Sequence, residues 1–119
     1  AWRNHPLAKI TNGIATEIPW GNKEFDLVFT ANVLIHVALK DLEQAMKEIL
    51  RVSKKYVLCI EYFDEEETNI HYRGQDSALW KRDFAMHYQE TDPTLKIVKQ
   101  GFWDMKDGFD DSHWVLFQK

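Results

Sequence analysis

Residues 24–37 read EFDLVFTANVLIHV, an apolar run that is followed by a short polar turn and a second apolar run. The first apolar run is nearly continuous, as in strands that helices cover on both faces. The turn and the segment after it indicate a change from strand to helix. In α/β proteins, small ligands bind where parallel strands end in such turns. The stretch therefore predicts a parallel strand over residues 25–30 and a site for a nucleotide-type ligand at residues 32–37.

Patterns elsewhere in the chain predict an α/β fold with a mainly parallel sheet, flanking helices and a carboxyl-terminal antiparallel hairpin. Apolar residues recur at helical spacing between residues 39 and 50, with charged residues on the opposite side. Asp41 and Gln44 have the spacing of a capping box near the start of this helix. The other predicted elements are a strand over 56–62, a short helix over 84–90 capped by Asp83, and two strands over 95–103 and 114–118 that form the hairpin.

Length and composition restrict the class of protein. The chain has 119 residues, of which 45% are hydrophobic, and a net charge of −4. This size suits one domain, and the negative charge without a basic tract argues against non-specific binding of nucleic acid. The apolar runs are too short to span a membrane, and the histidines show no metal-ligand spacing. The single cysteine, Cys59, lies in an apolar run, so we expect a buried thiol and a reducing, cytoplasmic location.

Several of these segments resemble class I S-adenosylmethionine-dependent methyltransferases. Residues 25–28, Phe-Asp-Leu-Val, followed by residues 34–36, Leu-Ile-His, look like the family's fourth strand and the segment behind it. Residues 15–20, ATEIPW, look like the loop after the third strand. The resemblance implies that residues 1–119 are one partial domain, the carboxyl-terminal half of such an enzyme. The family's Gly-rich loop and ribose-binding acid would precede it, so we expect this chain alone to bind S-adenosylmethionine weakly or not at all.

A narrower resemblance concerns the acceptor. The segments His71-Tyr72-Arg73-Gly74 and Lys81-Arg82-Asp83-Phe84 resemble the methylases associated with pseudaminic acid biosynthesis. This implies a nonulosonic acid, a sialic-acid-like sugar or its precursor, as the small-molecule substrate. The substrate-binding candidates are Tyr72, Arg73, Lys81 and Arg82, since guanidinium groups bind carboxylates in a bidentate manner. Alternatively, these cations neutralise the acidic run at residues 64–67.

The resemblance also implies cofactor contacts on two sides of the site. Asn12, Ile14 and Ala15 would flank the adenine ring, and Asn32 and Val33 would line the mouth of the site after the first predicted strand. The alternative for the first group is a plain turn at Asn12-Gly13.

Two residues are catalytic candidates. His36 follows the polar turn, and its imidazole has an intrinsic pKa suited to a general base. Glu61 ends the second predicted strand and could orient the nucleophile. The alternatives are that His36 only packs against or caps its loop, and that Glu61 is a solvated strand end.

Three functions remain open at this point. The first is transfer of a methyl group from S-adenosylmethionine to a small acceptor by the intact protein. The second is a non-catalytic fragment that self-associates, because an unpaired edge at residues 25–30 would recruit a second chain into a homodimer or larger assembly. The third is a small-molecule-binding α/β module unrelated to methyl transfer. The position of residues 72–84 relative to the strand ends separates the third function from the first.

Overall fold

A computed structural model of the chain describes residues 13–63, 68–72, 75–103 and 112–119. Of residues 68–72 and 75–81 the backbone alone is described. In chain order the elements are β1 (Phe25–Ala31), a 3₁₀ turn (Leu34–His36), α1 (Leu39–Val52), β2 (Ser53–Tyr62), β3 (Thr68–Tyr72), β4 (Gln75–Lys81), α2 (Phe84–Thr91), β5 (Lys96–Trp103) and β6 (Ser112–Gln118).

In these residues the central sheet has the strand order β1-β2-β6-β5. β1 and β2 are parallel, with Leu27 opposite Tyr56 and Ala31 opposite Ile60. β6 is antiparallel to both β2 and β5. The prediction of a mainly parallel sheet is therefore wrong, because most strand pairings of the described sheet are antiparallel. The apolar patterns locate each strand but do not reveal that β6 returns between β2 and β5.

Most of the predicted elements are present within one or two residues of their expected ends. Asp83 caps α2 as predicted, since its Oδ1 accepts a hydrogen bond of 3.1 Å from the Met86 amide. The capping box at α1 is wrong, because the helix begins at Leu39 and its N-cap, Ala38, provides no side-chain hydrogen bond. Gln44 instead donates through Nε2 to the Thr16 carbonyl oxygen, at 3.3 Å.

β3 (Thr68–Tyr72) and β4 (Gln75–Lys81) form an antiparallel strand pair that the sequence patterns above do not predict. Thr68 is opposite Lys81, and Tyr72 is opposite Gln75 at the other end of the pair. The two strands run in opposite directions, with a register shift between Ile70 and Tyr72. This β3–β4 hairpin is separate from the central sheet.

The described core lies between one face of the sheet and the two described helices. α1 is amphipathic and turns its apolar face to the sheet. Each large apolar side chain that is buried in this way stabilises the fold by about 1.5–3 kcal/mol. Tyr88 of α2 packs on Phe117 of β6, with ring centroids 5.2 Å apart. Neither described helix is long and apolar enough to cross a membrane. The core includes Leu42, Ala45, Met46 and Ile49 of α1, Val57 and Cys59 of β2, and Val115 and Phe117 of β6.

β1 is the edge strand of the described sheet, and this has a visible effect on its burial. Leu27 is 47% exposed and Phe29 is 49% exposed, whereas Thr30 on the opposite face is buried. The prediction that helices cover both faces of this strand is wrong for the described residues. An apolar surface at one end of the sheet therefore remains open to solvent.

Candidate functional site

The parallel strands β1 and β2 end at the same edge of the sheet, and the chain leaves β1 there through residues 32–37, the downstream loop. Asn32 begins the loop with a positive φ of 56°, in the left-handed region that asparagine tolerates better than most residues. The backbone amide of Asn32 donates to the Ile60 carbonyl oxygen at 2.8 Å. The start of the loop is thus fixed to the carboxyl end of β2.

The downstream loop divides its side chains between solvent and core. Asn32, Val33 and His36 are exposed, with Val33 at 43%, while Leu34 and Ile35 are buried beneath them. The His36 amide donates to the Val33 carbonyl oxygen at 3.1 Å and closes the 3₁₀ turn. Three of the predicted site residues therefore lie together on one short turn where the two parallel strands end.

Glu61 approaches the same loop from inside the fold. The residue is 1% exposed, and its Oε1 accepts a hydrogen bond of 3.2 Å from the Ile35 amide. Burial raises the pKa of this carboxyl to about 7, although the Thr30 hydroxyl and the amides of Ile35, Leu34 and Val33 favour the ionised form. The interpretation of Glu61 as a solvated strand end is wrong, because the carboxylate faces the core side of the turn.

The oxygens around Glu61 form a buried polar cluster. Glu61 Oε2, Thr30 Oγ1 and Tyr88 Oη are all buried without a hydrogen bond among the described residues. The Thr30 hydroxyl is close enough to favour ionisation of Glu61, but its geometry falls short of a hydrogen bond. Burial also raises the pKa of Tyr88 and of the neighbouring Cys59, so both stay neutral at ordinary pH. Glu61 is therefore the member of this cluster that changes charge near neutrality.

Arg82 contacts the other end of the downstream loop. It is 1% exposed, and its Nη1 donates to the Val37 carbonyl oxygen at 2.6 Å. A guanidinium in this position meets the backbone of the loop, with almost no surface left for a dissolved ligand.

The other substrate-binding candidates are spread along the β3–β4 hairpin. Tyr72 lies at one end of the strand pair, opposite Gln75, and Lys81 lies at the other end, opposite Thr68. Along β3 these ends are four residue steps apart, about 13 Å. Arg73 lies outside the described residues. β4 contacts the 3₁₀ turn and the backbone of β2, so the hairpin lies next to the downstream loop.

The candidates on the adenine side lie in a turn before β1. The Glu17 amide donates to the Ile14 carbonyl oxygen at 3.1 Å, Ile14 is 64% exposed, and Ala15 packs against the core. Through Thr16 this turn is hydrogen-bonded to Gln44 of α1. Asn12 lies outside the described residues. The described hydrogen bonds of this group thus reach α1 and not the downstream loop.

Sequence reasoning missed that Glu61 and Arg82 hold the downstream loop. For Glu61 a signal was available: Val57, Cys59 and Glu61 are two residues apart, so they share the buried face of β2. Arg82 offers no such signal, since arginine is rarely buried and the residue lies between two elements.

The sequence and the fold of this chain were both compared with those of known proteins. Residues 1–60 match the profile of a family described as a methyltransferase domain. No match was found among curated protein sequences. Three solved structures of similar fold are S-adenosylmethionine-dependent methyltransferases from Methanosarcina mazei (15% identity, TM-score 0.66) and Leishmania major (12%, 0.65), and a putative one from Listeria monocytogenes (12%, 0.69).

These alignments cover most of this chain but a varying share of the other proteins. The Methanosarcina alignment covers 98% of this chain and 73% of that protein, and the Listeria alignment 98% and 71%. The Leishmania alignment covers 87% of this chain and 42% of that protein. At such low identities the structures establish likeness of fold alone.

Proposed function

We propose that this chain, which belongs to the methyltransferase domain family, takes part in methyl transfer from S-adenosylmethionine to a small acceptor. The observation that carries the proposal is the downstream loop, which exposes Asn32, Val33 and His36 where β1 and β2 end. This edge of an α/β sheet is where ligands of this kind bind.

The exposed side chains suit one wall of a cofactor site. The side-chain amide of Asn32 can both donate and accept hydrogen bonds, and Val33 presents apolar surface beside it. A ligand that joins an adenosyl group to a methionine stem has matching polar and apolar parts. Ile14 and Ala15 are proposed to contribute from the turn before β1. When bound, S-adenosylmethionine supplies an activated methyl group on its sulfonium sulfur.

The main task of the chain is then to orient the acceptor. Correct positioning of two reactants supplies much of the rate enhancement in such a displacement. His36 is exposed at the last position of the 3₁₀ turn. Its imidazole would accept the proton that an acceptor O–H or N–H loses on methylation.

For the acceptor, the narrower proposal is a nonulosonic acid sugar or its precursor. The support is the motif around Tyr72 and Lys81 together with the contact of β4 with the 3₁₀ turn. Tyr72, Arg73 and Lys81 remain the proposed carboxylate and hydroxyl contacts. We assign Arg82 to the loop instead, because its side chain is 1% exposed and donates to Val37. A cytoplasmic location is proposed from the buried free thiol of Cys59.

The test is a titration of the 119-residue chain with S-adenosylmethionine, followed by nuclear magnetic resonance and by calorimetry. We expect saturable shifts of the Asn32, Val33 and His36 signals in the millimolar range, and no low-micromolar affinity. Adenosine is the control for binding of the base alone. Unchanged signals from the downstream loop at the highest cofactor concentration would contradict the proposal, and low-micromolar binding would contradict the expectation of weak affinity.

A second candidate is a non-catalytic module held together by self-association, which the surface of β1 favours. Leu27 and Phe29 are about half exposed on the edge strand of the described sheet. Edge strands with apolar surface recruit other chains, so a homodimer that covers β1 is expected.

Sedimentation of matched variants tests this candidate. Leu27→Lys places a charge on the β1 edge and should shift the assembly towards monomer. Val98→Lys is the control, because Val98 is 51% exposed on β5 at the other edge of the described sheet. A compact wild-type monomer at micromolar concentration, or equal effects of both substitutions, would argue against the β1 dimer.

A further inference from the structure

The downstream loop has little internal structure to hold its shape. Its 3₁₀ turn spans three residues, Leu34–His36, and has no side-chain cap at its start. The turn is closed by two backbone hydrogen bonds, His36 to Val33 at 3.1 Å and Val37 to Leu34 at 3.0 Å. Such short 3₁₀ segments have poor hydrogen-bond geometry and depend on their surroundings. The conformation of the loop must therefore be fixed by contacts from elsewhere in the fold.

The first such contact is made by Glu61 at the amino-terminal end of the turn. The first amides of a helical turn have no partner within the turn. Glu61 Oε1 accepts from the Ile35 amide at 3.2 Å, and the carboxylate also lies close to the amides of Leu34 and Val33. A carboxylate from the end of β2 thus replaces the missing cap.

The second contact is made by Arg82 at the carboxyl-terminal end of the loop. Its Nη1 donates to the Val37 carbonyl oxygen at 2.6 Å, immediately before α1 begins. Arg82 comes from the segment between β4 and α2, so this contact also ties the loop to the β3–β4 hairpin.

We propose that Glu61 and Arg82 are positioning residues that clamp the two ends of the downstream loop from inside the fold. Both are 1% exposed, so they act through the backbone of the loop and not by direct contact with a ligand. Together with the backbone hydrogen bond from Asn32 to Ile60, the clamp determines where Val33 and His36 stand at the strand ends. Its significance for methyl transfer rests on the proposed function, but the clamp can be measured without any cofactor.

The experiment is amide hydrogen exchange and carbonyl nuclear magnetic resonance on the 119-residue chain. In Glu61→Ala, exchange of the Ile35 amide should accelerate by about tenfold or more, the effect of losing one buried hydrogen bond. In Arg82→Met, the Val37 carbonyl carbon should lose the downfield shift that a hydrogen bond produces. Amides of Val57 and Val115 in the central sheet serve as the internal reference.

Conservative variants separate positioning from general support of the fold. Glu61→Gln keeps an oxygen that can accept from Ile35, and Arg82→Lys keeps a donor for Val37, so each should restore most of the wild-type signal. If an alanine or methionine variant fails to fold, these conservative variants still report on the loop. Rescue by Gln and Lys that is confined to residues 33–37 supports the clamp.

Two results would overturn the inference. One is unchanged exchange at Ile35 in Glu61→Ala together with an unchanged Val37 signal in Arg82→Met. The other is an equal acceleration of the reference amides, which would mean that the two residues support the whole fold. Failure of the cofactor titration with intact clamp signals would contradict the proposed function alone.

Discussion

Two loops flank β1, and they are held in opposite ways. The upstream loop, residues 18–23, is tied to the end of α1 by Arg51, which donates to the carbonyl oxygens of Ile18 and Trp20 at 2.9 and 2.8 Å. Arg51 also pairs with Glu48 at 2.6 Å, and its side chain is 32% exposed. Apart from the backbone bond of Asn32 to Ile60, the described contacts that hold the downstream loop are made by Glu61 and Arg82, two residues that are each 1% exposed.

The comparison shows that burial, more than the number of hydrogen bonds, determines how much such contacts matter. Arg51 is partly exposed, so water can replace a bond that it loses, and ion pairs that water reaches contribute only about 0–1 kcal/mol. A buried donor or acceptor that loses its partner costs about 1–3 kcal/mol. The downstream loop should therefore be the more sensitive of the two, and it is the one that carries the candidate site.

The largest expected difference between the two loops is in how Glu61 and Glu48 make the free energy of unfolding depend on pH. The pKa of Glu61 is raised from 4.5 to about 7 by burial, so the folded state holds its proton more tightly than the unfolded state. The stability contributed by this group is fully present below pH of about 4.5 and is lost as the pH rises through about 7, a decrease of about 3 kcal/mol. Glu48 should behave oppositely, because the hydrogen bond from Arg51 lowers its pKa and its contribution is lost as the pH falls.

Urea unfolding at several pH values, with Glu61→Gln and Glu48→Gln, measures this difference. The stability of the wild type relative to Glu61→Gln should fall between about pH 4.5 and about pH 7, whereas relative to Glu48→Gln it should rise from acid to neutral pH. His113 lies opposite Glu61, but its pKa is lowered by burial and partly raised by the charge of Asp83, which neither variant changes, so its titration should cancel in the differences. Parallel profiles for the wild type and Glu61→Gln would contradict the prediction.

A smaller difference is expected between the two arginines. Arg82→Met retains most of the side-chain stem but leaves the Val37 carbonyl oxygen without this donor, and should lower the free energy of unfolding by about 2 kcal/mol. Arg51→Met is the matched control in the upstream loop and should lower the free energy of unfolding clearly less. High salt should make this loss smaller still, because it weakens the Arg51–Glu48 ion pair of the wild type. A greater loss for Arg51→Met in denaturant unfolding would reverse the comparison.

The smallest expected effect concerns the one residue with positive φ in each loop, Lys23 at 53° and Asn32 at 56°. The left-handed conformation is strained for lysine but tolerated by asparagine and free for glycine. Lys23→Gly should therefore stabilise the chain by about 0.5 kcal/mol, and Asn32→Gly should change stability by about zero. Thermal unfolding of both variants checks this, and equal gains would show that the asparagine is strained too.

The sequence was sufficient where local patterns determine structure. The 3.6-residue spacing of Leu42, Met46 and Ile49 predicts α1, and Asp83 predicts the start of α2. The apolar runs predict β1 and β2, and their parallel pairing is confirmed by the register of Leu27 with Tyr56.

The failures have a common physical cause in long-range contacts. The order of β2, β6 and β5 depends on how the final hairpin docks, which no local pattern records. The half-exposed Leu27 reflects the edge position of β1 in the described sheet and not its composition. Likewise, the burial of Arg82 depends on the Val37 carbonyl oxygen, which is 45 residues away along the chain.

Cys59 lies two residues before Glu61 on the same face of β2, is 1% exposed, and is the single thiol of the chain. Burial raises the pKa of this thiol, so its reaction with an alkylating reagent requires the core to open first. The rate of labelling then reports how often the layer between sheet and helices opens, and no cysteine has to be introduced for the measurement. Cys59 is thus a chemical reporter next to the buried carboxylate of Glu61, and its alkylation rate can be measured in each of the variants above.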